Sequence, residues 1–171
     1  LQEQKGLVTG VPSGLSDIDK LTSGFQSADL VLVAGRPSMV KTSFVLYIAQ
    51  YVGLKTDRSV GFFSLEMSKE QLFIRMLTAE AEIDAQKFRG GYLTEQDYGK
   101  ISTVLGRLSE AKVFIDDSFG MGVLEMRAKA RRLKAEHGLD LLVVDYLQLM
   151  QGRGRFDNRT QELAAISRSV S

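Results

Sequence analysis

Apolar residues in this chain fall into short continuous blocks separated by longer stretches of helical spacing. Leu30 to Ala34, Val60 to Ser64, Val113 to Asp117 and Leu141 to Asp145 are such blocks, rich in valine, leucine, isoleucine and phenylalanine. Continuous rather than alternating apolar runs mark strands covered on both faces, as in a parallel sheet. Residues 41–55, 69–82, 94–107 and 122–137 read as helices between them; in the first, Phe44, Ile48, Tyr51 and Val52 lie along one side. Ser68-Lys69-Glu70-Gln71 is a capping box, Thr94-Glu95-Gln96-Asp97 opens another helix, and Gly138 directly after His137 closes the fourth. Thr160 opens a final helix that reaches the chain end at Ser171. Strands alternating with helices predict an α/β fold, with right-handed crossovers and a mostly parallel sheet carrying helices on both faces.

The first strand runs into Gly35-Arg36-Pro37-Ser38-Met39-Val40-Lys41-Thr42-Ser43. This is a phosphate-binding loop of the form G-x-x-x-x-G-K-[ST] with valine where the second glycine belongs. Backbone N–H groups of such a loop wrap phosphates, and the following helix adds its dipole. Lys41 is placed to reach the β- and γ-phosphates, and Thr42 to complete a Mg²⁺ shell. The plain alternative is a strand, a turn and a helix with Lys41 as a surface lysine. If Val40 sits at positive φ, its side chain costs roughly 1–2 kcal/mol, more for being β-branched. Its methyl groups also crowd the phosphates, so weakened nucleotide binding is expected.

Such a loop needs a magnesium-holding carboxylate at the end of a neighbouring buried strand, and Leu141-Leu142-Val143-Val144-Asp145 supplies one. Glu66 lies just beyond the strand Val60–Ser64, at the edge where open α/β sheets place ligands. It can orient and deprotonate an attacking water, or it is simply an acid at the entry to the next helix. Asp116 and Asp117 either join the same edge or form a turn before Ser118 and Gly120; the turn is the preferred reading.

Composition changes this picture little. The 171 residues have room for one domain, and 44% hydrophobic with 25% charged residues is a globular balance. A formal charge of +1 leaves nucleic-acid contact to local patches. The chain has no cysteine, which fits a reducing, cytoplasmic interior, and the start Leu1-Gln2-Glu3-Gln4-Lys5 lacks a signal-peptide pattern. No apolar run approaches the roughly 18 residues of a membrane span. His137 suits the last turn of its helix rather than a ligand role.

Two basic features stand out. In Val123–His137, Val123, Met126, Ala130 and Leu133 form the buried stripe, while Arg127, Arg131 and Lys134 share another face, either solvated or a subunit contact. Gln151 to Arg159 is a glycine-bearing loop with Arg153, Arg155 and Arg159, whose guanidinium groups suit phosphate contacts. By composition alone it is equally a surface turn.

Gly10-Val11-Pro12-Ser13-Gly14-Leu15-Ser16-Asp17-Ile18-Asp19-Lys20-Leu21-Thr22-Ser23-Gly24-Phe25 resembles the lead-in to the RecA-like motor domain of DnaB-type replicative DNA helicases. Gly35-Arg36-Pro37-Ser38, Ser64-Leu65-Glu66-Met67-Ser68 and Asp145-Tyr146-Leu147-Gln148-Leu149 resemble that family's Walker A, catalytic-glutamate and Walker B segments. The likeness runs from about residue 6 onward. It implies a partial RecA-like P-loop NTPase over residues 1–171, with 1–24 as lead-in and 25–171 as nucleotide-binding core. It further implies an ATP- and Mg²⁺-dependent hexameric ring of identical subunits that translocates on single-stranded DNA and unwinds duplex. Lys41 and Thr42 become phosphate and metal contacts, Asp145 a metal ligand, Glu66 the general base, and Arg153, Arg155 and Arg159 DNA contacts facing the central channel.

The chain departs from the family at Val40. It also lacks the amino-terminal collar that engages primase and loader proteins, and it stops before the segments bearing the arginine finger, the sensor and a principal DNA loop. A later strand usually lies between the Walker A and Walker B strands; if nothing follows Ser171, that slot is empty. Two further readings stay open: a RecA-like recombination or signalling ATPase, and a nucleotide-poor scaffold used for subunit or partner contacts.

Overall fold

The computed structural model describes residues 8–27, 29, 31, 33 and 39–145, together with positions 158, 161, 164, 165 and 168. After a short helix α1 (Ser16–Thr22) come α2 (Met39–Lys55), β1 (Val60–Ser64), α3 (Lys69–Ala81), α4 (Ala85–Arg89) and α5 (Glu95–Glu110). β2 (Val113–Asp116), α6 (Val123–His137) and β3 (Leu141–Asp145) complete the order. Asn158, Gln161, Ala164, Ala165 and Arg168 are helical, so the final helix already includes a residue two positions ahead of its expected start.

The strands form one sheet in the order β2-β1-β3, and β1 pairs in parallel with both neighbours. Val60 aligns with Val113 and Leu141, and Ser64 with Asp145. As the central strand, β1 is buried along its whole length, whereas β2 is half-buried throughout and β3 as far as Val144. Strand parity divides the core. Val60, Phe62, Leu141 and Val143 pack with Leu46, Ile48, Ala49 and Val52 of α2 on one face. Phe63, Leu142 and Val144 pack with Met126 and Ala130 of α6 on the other. Both faces are thus covered, as the pattern of apolar blocks required.

A third cluster of Leu77, Ala81, Ile83 and Val104 joins α3 to α5. The short α4 was not evident from spacing; its signal is Asp84, whose carboxylate accepts from the Gln86 and Lys87 N–H groups. α1 also went unassigned, and no side chain caps its start. The capping box expected at Ser68 forms, and Thr94, expected to open its helix, does so through a second capping box with Asp97. Gly138 ends α6 at φ +75°, a backbone shape that favours glycine. His137 lies in the last turn, as expected, and stacks on Phe114 with ring centroids 4.6 Å apart.

The strand expected over residues 30–34 is not borne out at its described positions, because Val31 and Val33 are exposed and outside any strand. An apolar run satisfies only half of what a strand requires; the other half is a neighbouring backbone to complete its ladder. Among the described residues none pairs with the outer edge of β3.

The helical layer is tied together at Glu80. Its Oε1 accepts from Lys55 Nζ at 3.1 Å and Arg107 Nη1 at 3.3 Å, and Oε2 accepts from buried Gln50 Nε2 at 3.1 Å. One carboxylate on α3 thereby holds α2 and α5. Glu80→Ala is expected to lower stability by about 1–3 kcal/mol, a fall of roughly 2–4 °C in Tm per kcal/mol for a chain of this size. Glu80→Gln should recover part of this, and thermal unfolding of the three proteins checks it.

Asp97 accepts from Lys87 Nζ at 2.6 Å and from the Thr94 N–H at 2.9 Å. The Lys87 hydrogen bond, aided by the Thr94 N–H, lowers its pKa from 3.8 to about 2. The folded state therefore favours the carboxylate, and this contribution is complete above pH 3.8 and lost as pH falls through about 2. The Tm gap between wild type and Asp97→Asn should narrow over that window when unfolding is followed against pH.

Candidate nucleotide site

α2 runs against the strands. A β-carbon at Gly53, near its C-terminal end, would collide with Val113, the first residue of β2. The helix begins 14 residues earlier at Met39, about 21 Å away at 1.5 Å per residue. Its first turn therefore lies toward the end of the sheet where β1 and β3 finish. That turn contains no acid and carries Lys41. A helix N-terminus with a lysine opposes the usual dipole preference, and both the exposed N–H groups and the ammonium favour an anion.

Thr42 is 7% exposed and Asp145 4% exposed. Parity puts Asp145 on the same sheet face as Leu141 and Val143, the face that α2 covers. Among the described residues, nothing donates a hydrogen bond to the Asp145 carboxylate and no cation pairs with it. A hydroxyl on Thr42 and a carboxylate on Asp145 are oxygen donors of the kind a hard cation takes, so this donor set fits a cation arriving with its ligand. Ser64 shares the register level of Asp145, and the Leu65 N–H donates to the Asp145 carbonyl at 2.7 Å. Glu66 follows immediately, exposed beyond β1. Glu66 and Asp145 thus leave the sheet at one rim.

Val40 corrects one expectation. It is the second residue of α2 and is not among the described non-glycine residues at positive φ, which are Ser23 and Glu82. The strain mechanism therefore does not apply. A valine accepts helical dihedrals without penalty of that kind, and α2 starts two residues ahead of the expected 41. The side chain is 74% exposed, in the turn that carries Lys41, so crowding of an anion remains the relevant effect.

The turn preferred for Asp116 and Asp117 starts later, at Phe119: Asp116 is the last residue of β2 and Asp117 follows it directly. Asp116 accepts from Lys129 Nζ at 2.8 Å and the Ser118 N–H at 2.9 Å. Burial is the largest single influence on Asp116 and pushes its pKa up; the Lys129 and Ser118 hydrogen bonds outweigh it and leave it lowered. Asp117 accepts from the Lys69 N–H at 2.8 Å. Of the basic face on α6, Arg131 is exposed, while Arg127 and Lys134 are half-buried. Arg127 Nε is buried without a partner among the described residues.

Gly35, Arg36, Pro37 and Ser38, the side chain of Met39, Tyr146 to Leu149, and Arg153, Arg155 and Arg159 lie outside the described residues. The described side of the candidate site therefore consists of Val40, Lys41, Thr42, Ser43, Glu66 and Asp145. Sequence reasoning missed Ser64, whose buried hydroxyl holds the Glu66 loop; its signal was a serine three residues before Met67 at a strand end.

Residues 10–171 match the family described as DnaB-like helicase C terminal domain. The replicative DNA helicase DnaC of Bacillus subtilis is 54% identical over 171 residues, covering 99% of this chain and 38% of that protein. The replicative DNA helicase DnaB of Geobacillus stearothermophilus is 52% identical with the same coverage. The chain thus spans 38% of the length of these relatives. Among solved structures, a DnaB-like replicative helicase studied with primase superposes with a TM-score of 0.87 at 29% identity, covering 99% of this chain and 43% of the other. A second solved chain, described as an ATPase domain, gives 0.88 at 30% identity, covering 98% and 62%.

Replacing the Asp145 carboxylate tests the cation reading. Asp145→Asn should leave the Tm of the metal-free chain no lower, while removing any Mg²⁺-dependent stabilisation by nucleotide. A lowered metal-free Tm would show instead that the carboxylate is satisfied within the fold.

Proposed function

The chain belongs to the DnaB-like helicase C-terminal domain family, and we propose that it is the nucleotide-binding part of a replicative helicase motor. On this reading residues 1–24 are the lead-in and 25–171 the core of a RecA-like ATPase. The reaction is transfer of the ATP γ-phosphoryl group to water, coupled to movement along single-stranded DNA and duplex unwinding. The observation that carries it is that Asp145, buried at the end of β3, belongs to the sheet face that α2 covers, while the first turn of α2 carries Lys41 and buried Thr42.

In this reading Gly35 to Ser43 cradle the phosphates. Lys41 stabilises the charge that develops on the transferred group, acting where water is excluded. Thr42 and Asp145 would hold Mg²⁺, which when bound neutralises phosphate charge. Glu66 accepts a proton from the attacking water and fixes its approach. Arg153, Arg155 and Arg159 would contact the DNA backbone, contributing affinity that falls with salt rather than base specificity. A ring of identical subunits, a cytoplasmic location, and primase and loader contacts made outside these residues complete the proposal.

Val40 makes this chain a weak binder. Its isopropyl group occupies space beside the anion-facing turn, and a loss of about 1.4 kcal/mol is tenfold in affinity. Val40→Gly is expected to tighten ATP·Mg²⁺ binding by about tenfold or more, measured by titration calorimetry. Equal affinities would remove valine as the impairment. In the glycine-bearing full-length protein, DNA should stimulate ATP turnover and duplex should be unwound. Turnover without unwinding would favour the recombination or signalling reading, and no nucleotide binding at all the scaffold reading.

A further inference from the structure

We propose that Ser64 is a positioning residue for Glu66, and that Asp117 supports it from the neighbouring strand end. The inference rests on the reading of Glu66 as the base. Ser64 is the last residue of β1 and is 1% exposed. Its hydroxyl donates to the Met67 carbonyl at 2.6 Å and accepts from the Met67 N–H at 3.1 Å. These bonds close a four-residue loop around Glu66. On its other side the Leu65 N–H is held by the Asp145 carbonyl at 2.7 Å. Both residues flanking Glu66 are therefore anchored, one to β1 and one to β3, while the Glu66 side chain stays exposed.

The far end of the loop has its own restraint. The Asp117 carboxylate accepts from the Lys69 N–H at 2.8 Å, beside the Ser68 and Gln71 capping box. The first turn of α3 is thus tied to the segment after β2 as well as capped by its own residues. The capping box alone satisfies the start of α3, so neither Ser64 nor Asp117 is needed merely to form that helix. What they add is a fixed path for the three residues 65–67. A base effective in proton transfer must stay within hydrogen-bond reach of its water, and a displacement near 1 Å is enough to cost on the order of a hundredfold in rate.

The test uses the full-length protein carrying Val40→Gly, with Ser64→Ala, Ser64→Thr, Asp117→Ala, Asp117→Asn and Glu66→Gln compared. Ser64→Ala is expected to lower kcat for ATP about tenfold with KM within about twofold, since positioning acts on the chemical step. Its amides at 65–67 should exchange hydrogen faster. Asp117→Ala should lower kcat severalfold, whereas Asp117→Asn, which keeps an acceptor oxygen, should not; Ser64→Thr should recover part of the Ser64→Ala loss. A merely structural role would instead move KM and Tm together with kcat, and that outcome overturns the proposal. So would unchanged kcat in both alanine variants while Glu66→Gln abolishes turnover. Retained turnover in Glu66→Gln would remove the reading of the base itself. If Ser64→Ala fails to fold, the Asp117 pair decides.

Discussion

The parallel pairing of β1 with β3 is the constraint from which the candidate site follows. Its register sets Ser64 opposite Asp145 and places the Leu65 N–H on the Asp145 carbonyl. A slip of one residue would turn Asp145 to the face covered by α6, among Phe63, Met121 and Met126. The apolar side chains resist that slip because each face has its own set to bury. Val60, Phe62, Leu141 and Val143 serve α2, and Phe63, Leu142 and Val144 serve α6. Core packing and site geometry are therefore one fact seen at two ends of the same strands.

α2 completes the arrangement through its direction. Gly53 lets the end of the helix approach Val113 at the start of β2, closer than any side chain would allow. That close seat leaves the first turn, with Lys41 and buried Thr42, at the opposite end of the sheet. Glu80 then fixes α2 to α3 and α5 through Gln50, Lys55 and Arg107. The rim bearing the candidate chemistry is thus braced from behind by contacts that contain none of it.

Three of the four expected strands and all four major helices were legible in the sequence because each combines a period with a punctuating residue. Ser68, Thr94 and Gly138 are such marks, and the structure uses each one as its chemistry suggests. Val31 and Val33 show the limit. Local composition reports a wish to be buried, but strand formation depends on a partner backbone whose position local composition does not encode. The same limit explains Val40. A sequence pattern marks the missing glycine, yet only the backbone reveals that residue 40 is helical and unstrained. Ser64 was missed for a related reason: its hydroxyl matters through two bonds to Met67, a local loop geometry that no periodicity signals.

The acidic residues near the rim divide by how their charge is met. Asp116 and Asp117 lie at and just past the end of β2, and each has donors supplied by the fold: Lys129 and the Ser118 N–H for one, the Lys69 N–H for the other. Such carboxylates are occupied and hold structure. Asp145 is more buried than either and receives no donor among the described residues. Among the described residues the fold supplies donors to its peripheral acids and none to Asp145, which suits a carboxylate that binds a ligand rather than one that holds structure. The lysine-bearing turn of α2, toward the same end of the sheet, favours a ligand of the opposite sign. An anion at that helix start and a cation at the Asp145 carboxylate would be bound together, each screening the charge of the other.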